Sequence, residues 1–120
     1  MKKIYLLMAM VTSLLYSSQV GKVGINTSTP AATLDIQPNT ANALTTATTA
    51  EGLLVPRVSR QRAANMGTTP AVSTLIYVNS VADGSAAGTT ANVDAVGFYY
   101  FNGSVWTKLN AGGGGGSTVE

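Results

Sequence analysis

The sequence has 120 residues, seven Lys or Arg against five Asp or Glu, a formal net charge of +2, and neither His nor Cys. A chain without His and Cys lacks the usual general base near neutral pH, the usual zinc and copper ligands, and any disulfide. We therefore predict no enzymatic activity, no cofactor and no metal site.

The first 18 residues have the pattern of a secretory signal peptide. Lys2 and Lys3 precede an apolar run at residues 4–15, which is too short to span a bilayer, and small residues allow cleavage after Ser18. The alternative is a buried N-terminal helix. The first interpretation predicts a secreted or cell-surface protein with no membrane span after cleavage.

Cleavage changes the charge of the chain. Because Lys2 and Lys3 leave, five basic and five acidic residues remain, and the basic isoelectric point belongs to the leader. A neutral chain gives no reason to expect nucleic acid or an anionic membrane as a partner. The lack of Cys also excludes a lipid-anchored lipoprotein.

Residues 19–38 predict an N-terminal arm with two short strands. Val23 and Ile25 alternate with smaller or polar residues, as do Leu34 and Ile36, and a turn containing Pro30 separates them. Two strands of this length are not stable alone. Residues 39–50 are rich in Thr and Ala and predict a linker, with a Thr-rich strand as the alternative.

Residues 51–110 predict a small β-rich domain. A buried strand at residues 51–57 ends near Pro56, and a short helix at residues 58–67 has Ser59 as its N-cap and Gly67 after its end. A second strand covers residues 74–79. A polar segment at residues 80–95 follows, with a turn at Asp83-Gly84.

Residues 97–109 predict a β-hairpin around Asn102-Gly103, a dipeptide typical of a two-residue type I′ turn. One face would carry Tyr99, Phe101 and Trp106. The other face would carry Phe98, Tyr100, Val105 and Leu109. The predicted fold is α+β and β-rich: a small antiparallel sheet from residues 53–55, residues 75–78 and the hairpin, one short helix, and the extended N-terminal arm.

A hairpin with two apolar faces needs a second surface to cover it, since one small domain has one core. We therefore predict that Tyr99, Phe101 and Trp106 form a contact surface between subunits. The alternative is a ligand surface on which Tyr99, Tyr100 and Trp106 stack against a surface glycan.

Two further clusters of charged residues are candidate binding sites. Arg57, Arg60 and Arg62 form the one basic cluster, but on a short helix Arg60 and Arg62 diverge, so solvated charges are expected, with Arg57 bonded to Glu51 or a carbonyl. Asp83 and Asp94 share a long loop and could approach each other as calcium ligands, although loop acids more often form turns.

Four segments resemble bacteriophage tail-fibre proteins and secreted surface proteins of the Bacteroidota. VGINTSTPAATLDI is similar to their VGIGT-x-x-P-x-x-x-LDV pattern, and GLLVPRVSRQR, STLIYVN and GFYYFNGSVWTKL follow in the family's order. The sequence departs where the family has Gly, at Asn26 and at Ser73 or Thr74. The resemblance implies a non-enzymatic fibre module, a homo-oligomer of three chains. The Gly-rich residues 111–120 resemble a linker, so we expect the natural chain to continue beyond Glu120.

Overall fold

The computed structural model describes residues 21–110, and its contacts divide the chain into two units between Gly52 and Leu53. The predicted signal peptide and Gly-rich tail lie outside the described residues. Each unit is described by itself.

The first unit contains a two-stranded parallel sheet. β1 (Val23–Ile25) pairs with β2 (Leu34–Ile36), with Val23 opposite Leu34 and Ile25 opposite Ile36. Both strands were predicted, but the tight parallel pairing between them was not. A 3-10 helix at Thr40–Asn42 follows, capped by the side chain of Asn39, in the segment predicted as a linker.

The second unit contains a four-stranded sheet in the order β3-β4-β5-β6. The strands are β3 (Arg57–Ser59), β4 (Leu75–Ser80), β5 (Gly97–Phe101) and β6 (Trp106–Lys108), and α1 (Arg60–Asn65) connects β3 to β4. β3 is parallel to β4, whereas the other two pairings are antiparallel. The β-rich class with one short helix is confirmed, but the sheet is mixed rather than wholly antiparallel.

The predicted strand at residues 53–55 is wrong. Pairing with β4 begins at Pro56, whose carbonyl accepts the Tyr77 N–H at 2.9 Å, and the strand itself starts at Arg57. Leu53 and Leu54 lie outside it and are exposed. Their apolar character indicated burial, but nothing within residues 21–110 covers them.

The helix ends where its capping residues predict, although it is shorter at its start. The Ser59 hydroxyl accepts the Arg62 N–H at 3.2 Å, and Gly67 has φ +57°. Ala63 is buried and Met66 packs against the core, as expected. The predicted first residues, Val58 and Ser59, belong to β3 instead.

The turn between β5 and β6 differs from the predicted two-residue turn. Phe101 pairs with Trp106, so four residues connect the strands, and within residues 102–105 only Gly103 has a positive φ, at +103°. The Asn102 side chain accepts the N–H groups of Ser104 and Val105, both at 2.9 Å. Because the register differs by two residues, the predicted faces are preserved.

The core lies on one side of this sheet. Phe101 and Trp106 pack edge to face with ring centroids 5.2 Å apart, and the Tyr99 hydroxyl donates to the Ala95 carbonyl at 2.8 Å. The indole N–H of Trp106 donates to the Ala63 carbonyl at 3.4 Å. The other buried apolar residues in the described part of the chain are Ile76, Val78 and Val93.

Arg60 holds the polar segment at residues 80–95 against this core. Its guanidinium donates to four backbone carbonyls, those of Val81 at 2.7 Å, Val93 at 3.0 Å, Asp83 at 3.2 Å and Gly84 at 3.3 Å. Guanidinium presents five N–H donors in a fixed plane, which suits an irregular segment whose carbonyls lack sheet partners. Its bonds place Val81 and Val93 over the sheet.

Replacing Arg60 tests this role. Arg60→Lys keeps the charge but cannot reach four carbonyls in one plane, so we expect the free energy of unfolding to fall by about 1.5–3 kcal/mol. The matched control is Arg62→Lys on the same helix, which should change it by less than about 0.5 kcal/mol. Chemical denaturation measures both. An equal, small effect of the two variants would contradict the assigned role.

Among residues 21–110, two residues other than glycine have left-handed backbone conformations: Asn26, and Ser73, which with Thr74 is one of the two positions predicted to replace a Gly. Asn26 has φ +60° and Ser73 has φ +79°, the conformation that glycine adopts most readily. The Asn26 amide donates to the Gln37 carbonyl at 3.0 Å, which compensates for its backbone strain. The Ser73 N–H donates to the Phe101 carbonyl at 2.7 Å. The strained residue therefore lies two positions before the start of β4.

Ser73→Gly should therefore stabilise the second unit by about 1 kcal/mol, because the strain of a left-handed residue with a Cβ is removed. Thr74→Gly is the control. It should destabilise the unit, since Thr74 lies outside the left-handed region and its hydroxyl donates to the Ala71 carbonyl at 2.8 Å. Thermal melts of the two variants give the comparison, and a lower melting temperature for Ser73→Gly would contradict the assignment of strain.

Candidate assembly surfaces

The three rings predicted as a contact or ligand surface are not at the surface. Tyr99, Phe101 and Trp106 each have 0% exposed area within the single chain. The prediction of their common face was correct, but α1 and the 80–95 segment cover it. A fully buried ring has no area to offer a subunit or a sugar, so the proposed glycan platform with Tyr100 is not assembled either.

The opposite side of the sheet carries apolar groups that are exposed in part, among them Phe98 and Leu109. Tyr77 and Phe98 are paired across β4 and β5, and their rings meet edge to face at 4.9 Å. The Leu109 N–H donates to the Phe98 carbonyl at 2.9 Å, which places Leu109 beside Phe98. The prediction that this face of the hairpin is also apolar holds.

A groove opens beside this aromatic pair, with a volume of about 170 Å³. We call it the apolar groove, and its lining residues are Leu53, Leu54, Val55, Arg57, Tyr77 and Phe98. Leu54 is 81% exposed there. The Arg57 guanidinium donates to the Val55 carbonyl at 3.0 Å, so its charge is directed at the backbone at the edge of the groove. The sequence analysis expected a bond from Arg57 to Glu51 or to a carbonyl, and the carbonyl is the partner.

A second exposed apolar surface lies on the first unit. We call it the aliphatic face, formed by Val23, Ile25, Leu34 and Ile36, which are 37–58% exposed. Residues paired across a sheet point to the same side, so the register of β1 and β2 brings all four together. The sequence indicated the two alternating patterns, but not that their apolar residues form one surface, because the parallel pairing of the strands was not predicted.

The charged groups considered as ligand sites do not converge on one. The Asp83 carboxylate accepts the Gln61 N–H at 3.3 Å, whereas Asp94 lies 3.8 Å from the Lys108 ammonium. Among residues 21–110 no group of three or more acidic side chains is placed to hold a metal ion. The Arg60 guanidinium binds backbone carbonyls of the 80–95 segment. The sequence predicted a solvated charge instead and did not indicate this role.

Three carboxylates instead accept hydrogen bonds that hold loops and turns in place. In order of effect, the Ala31 N–H and the Gln37 amide lower the pKa of Asp35. The Asn42 amide and then the Asn39 N–H lower the pKa of Glu51. A hydrogen bond from the Ser59 hydroxyl is the main cause that lowers the pKa of Asp83.

Comparison with known proteins identifies the family. A family model described as a phage tail like trimerisation region matches residues 24–119. The chain belongs to this family. No curated protein and no solved structure matches it.

The family match includes the apolar groove and all of the aliphatic face except Val23, because it begins at Gly24 and continues past β6. It supports a structural module of the tail-fibre type that associates in threes. Within the part of the chain that the structure describes, no helix has the length and apolar character needed to cross a bilayer.

The lowered pKa of the hydrogen-bonded Asp83 carboxylate predicts a pH dependence of stability. Its pKa in the folded chain lies below the ordinary 3.8, so the unfolded chain binds more protons between the two values and stability falls as the pH drops through them. The stabilisation is complete above about pH 5. Asp83→Asn should be less stable than the wild type at neutral pH and should lose less stability on acidification. Denaturation curves at several pH values test this, and parallel losses in the two proteins would contradict it.

Proposed function

We propose that this chain is a non-enzymatic structural module of a secreted, cell-surface or tail-fibre-like assembly, and that it associates as a homotrimer. The observation that supports it best is the family match together with the apolar groove. Trimers of one chain close by repeating one contact around a threefold axis. A groove on one copy then receives an apolar surface of the next.

The composition of the groove favours protein contact over sugar binding. Its walls are Leu, Val and aromatic side chains, and the Arg57 guanidinium already donates to a carbonyl of the rim. Sugar recognition needs several free polar groups to bond the hydroxyls, whereas an interface core is apolar with few charges. Exposed leucines beside an aromatic pair are typical of the second case.

The net charge of the predicted mature chain is consistent with close association. Five basic and five acidic residues remain after the predicted cleavage, so the copies do not repel each other strongly. Export through the N-terminal leader is part of the proposal, and it places the assembly outside the cytoplasm.

Leu54→Ser tests the role of the groove. Leu54 is 81% exposed, so its loss should leave the fold of one chain intact. Burying a Leu side chain contributes about 1.5–3 kcal/mol, so the trimer should dissociate at roughly tenfold or higher concentration. Sedimentation equilibrium measures this directly.

Val72→Ser is the matched control, because Val72 is an aliphatic residue of the same unit, 64% exposed and outside the groove. It should associate like the wild type. A wild-type chain that stays monomeric at tens of micromolar would contradict the proposed function. Equal weakening by both substitutions would show that the groove has no special part in association.

A further inference from the structure

Residues 21–52, the described part of the first unit, form no hydrophobic core of their own. Not one side chain among residues 21–52 is buried, although the second unit buries seven apolar side chains. Two strands of three residues each are marginal without a hydrophobic surface to pack against. Something outside residues 21–52 must therefore cover this sheet if it is to be stable.

One side of the sheet is already covered by its own connecting loop. A side chain at Gly24 would collide with the Thr27 carbonyl and would lie 2.9 Å from the Pro30 ring. On the same side, the Asp35 carboxylate accepts the Ala31 N–H at 2.8 Å. The loop between β1 and β2 thus closes over the Gly24 and Asp35 side of the sheet.

The aliphatic face is the side that the loop leaves bare. Its four side chains carry no charge. Two ionisable groups adjacent in sequence are directed at the loop, since Lys22 donates to the Pro30 carbonyl at 3.3 Å and Asp35 is bonded to Ala31. Glu51 lines a pocket beside Ile36 at the edge of the face, and its carboxylate accepts the Asn39 N–H and the Asn42 amide. An uncharged aliphatic face is complementary to a copy of itself, because nothing on it repels or needs an opposite charge.

We propose that the aliphatic faces of three copies pack against one another around the threefold axis and form a core shared by the chains. This rests on the proposed trimer. The face offers only a few hundred Å², less than the roughly 800 Å² per partner of a stable interface, so it closes between chains that other surfaces already hold together. The family match begins at Gly24 and includes all of β2 and all of β1 except Val23.

Cysteine cross-linking tests the shared core, because residues 1–120 contain no Cys. Leu34→Cys and Ile25→Cys place a thiol on the aliphatic face. Gln37→Cys is the control. The Gln37 side chain donates to the Asp35 carboxylate at 2.7 Å, which places it on the loop-covered side. Each full-length variant is treated with a short bismaleimide at a concentration where sedimentation shows three chains.

Thiols brought together at the axis should give about tenfold more covalently linked chains at position 34 or 25 than at position 37, since linking needs close approach. Two positions are used so that a variant that fails to assemble does not decide the result. Equal linking at all three positions in an intact trimer overturns the shared core but leaves the proposed function standing. A chain that is monomeric throughout overturns both.

Discussion

The contact of Arg60 with the backbone of residues 80–95 determines which side of the sheet becomes the core. That segment is polar and contains a 3-10 helix at Gly88–Thr90, and the carbonyls that Arg60 binds lie outside this helix. By binding these four carbonyls, the guanidinium brings Val81 and Val93 onto the sheet. The side with Tyr99, Phe101 and Trp106 is thereby closed within one chain. The side with Tyr77 and Phe98 is not, and the need for a partner follows from this asymmetry.

A small chain without disulfides has limited means to cover apolar surface. In the second unit, α1 and the 80–95 segment held by Arg60 cover one side of the four-stranded sheet. The first unit uses an eight-residue loop to cover one side of two strands. Among the described residues, each unit thus covers one side of its own sheet. In the proposed trimer, association of copies covers the remaining sides, which would link the trimerisation family to the packing of individual residues.

Much of this architecture could be predicted from the sequence. Alternating apolar residues indicated β1 and β2, a run with apolar residues on both faces indicated β4, and Ser59 and Gly67 marked the ends of the helix. Faces were predicted correctly even where the register of β5 and β6 was wrong, because an error of two residues preserves alternation. Leu53 and Leu54 could not be placed, because apolar character does not distinguish residues buried in one chain from residues that a copy covers. The role of Arg60 depends on carbonyls 21–33 residues away, which leave no local pattern.

The central claim is that the copies meet through surfaces outside the core of the single chain. The one tryptophan, Trp106, is a reporter of that core. The direct measurement is a dilution series in which sedimentation and tryptophan emission are recorded on the same samples. The account predicts that the mass falls from three chains to one while the emission maximum of Trp106 stays constant, because its ring is buried in either state. A mass of one chain at every concentration, or a red shift of the emission as the trimer dissociates, would contradict it.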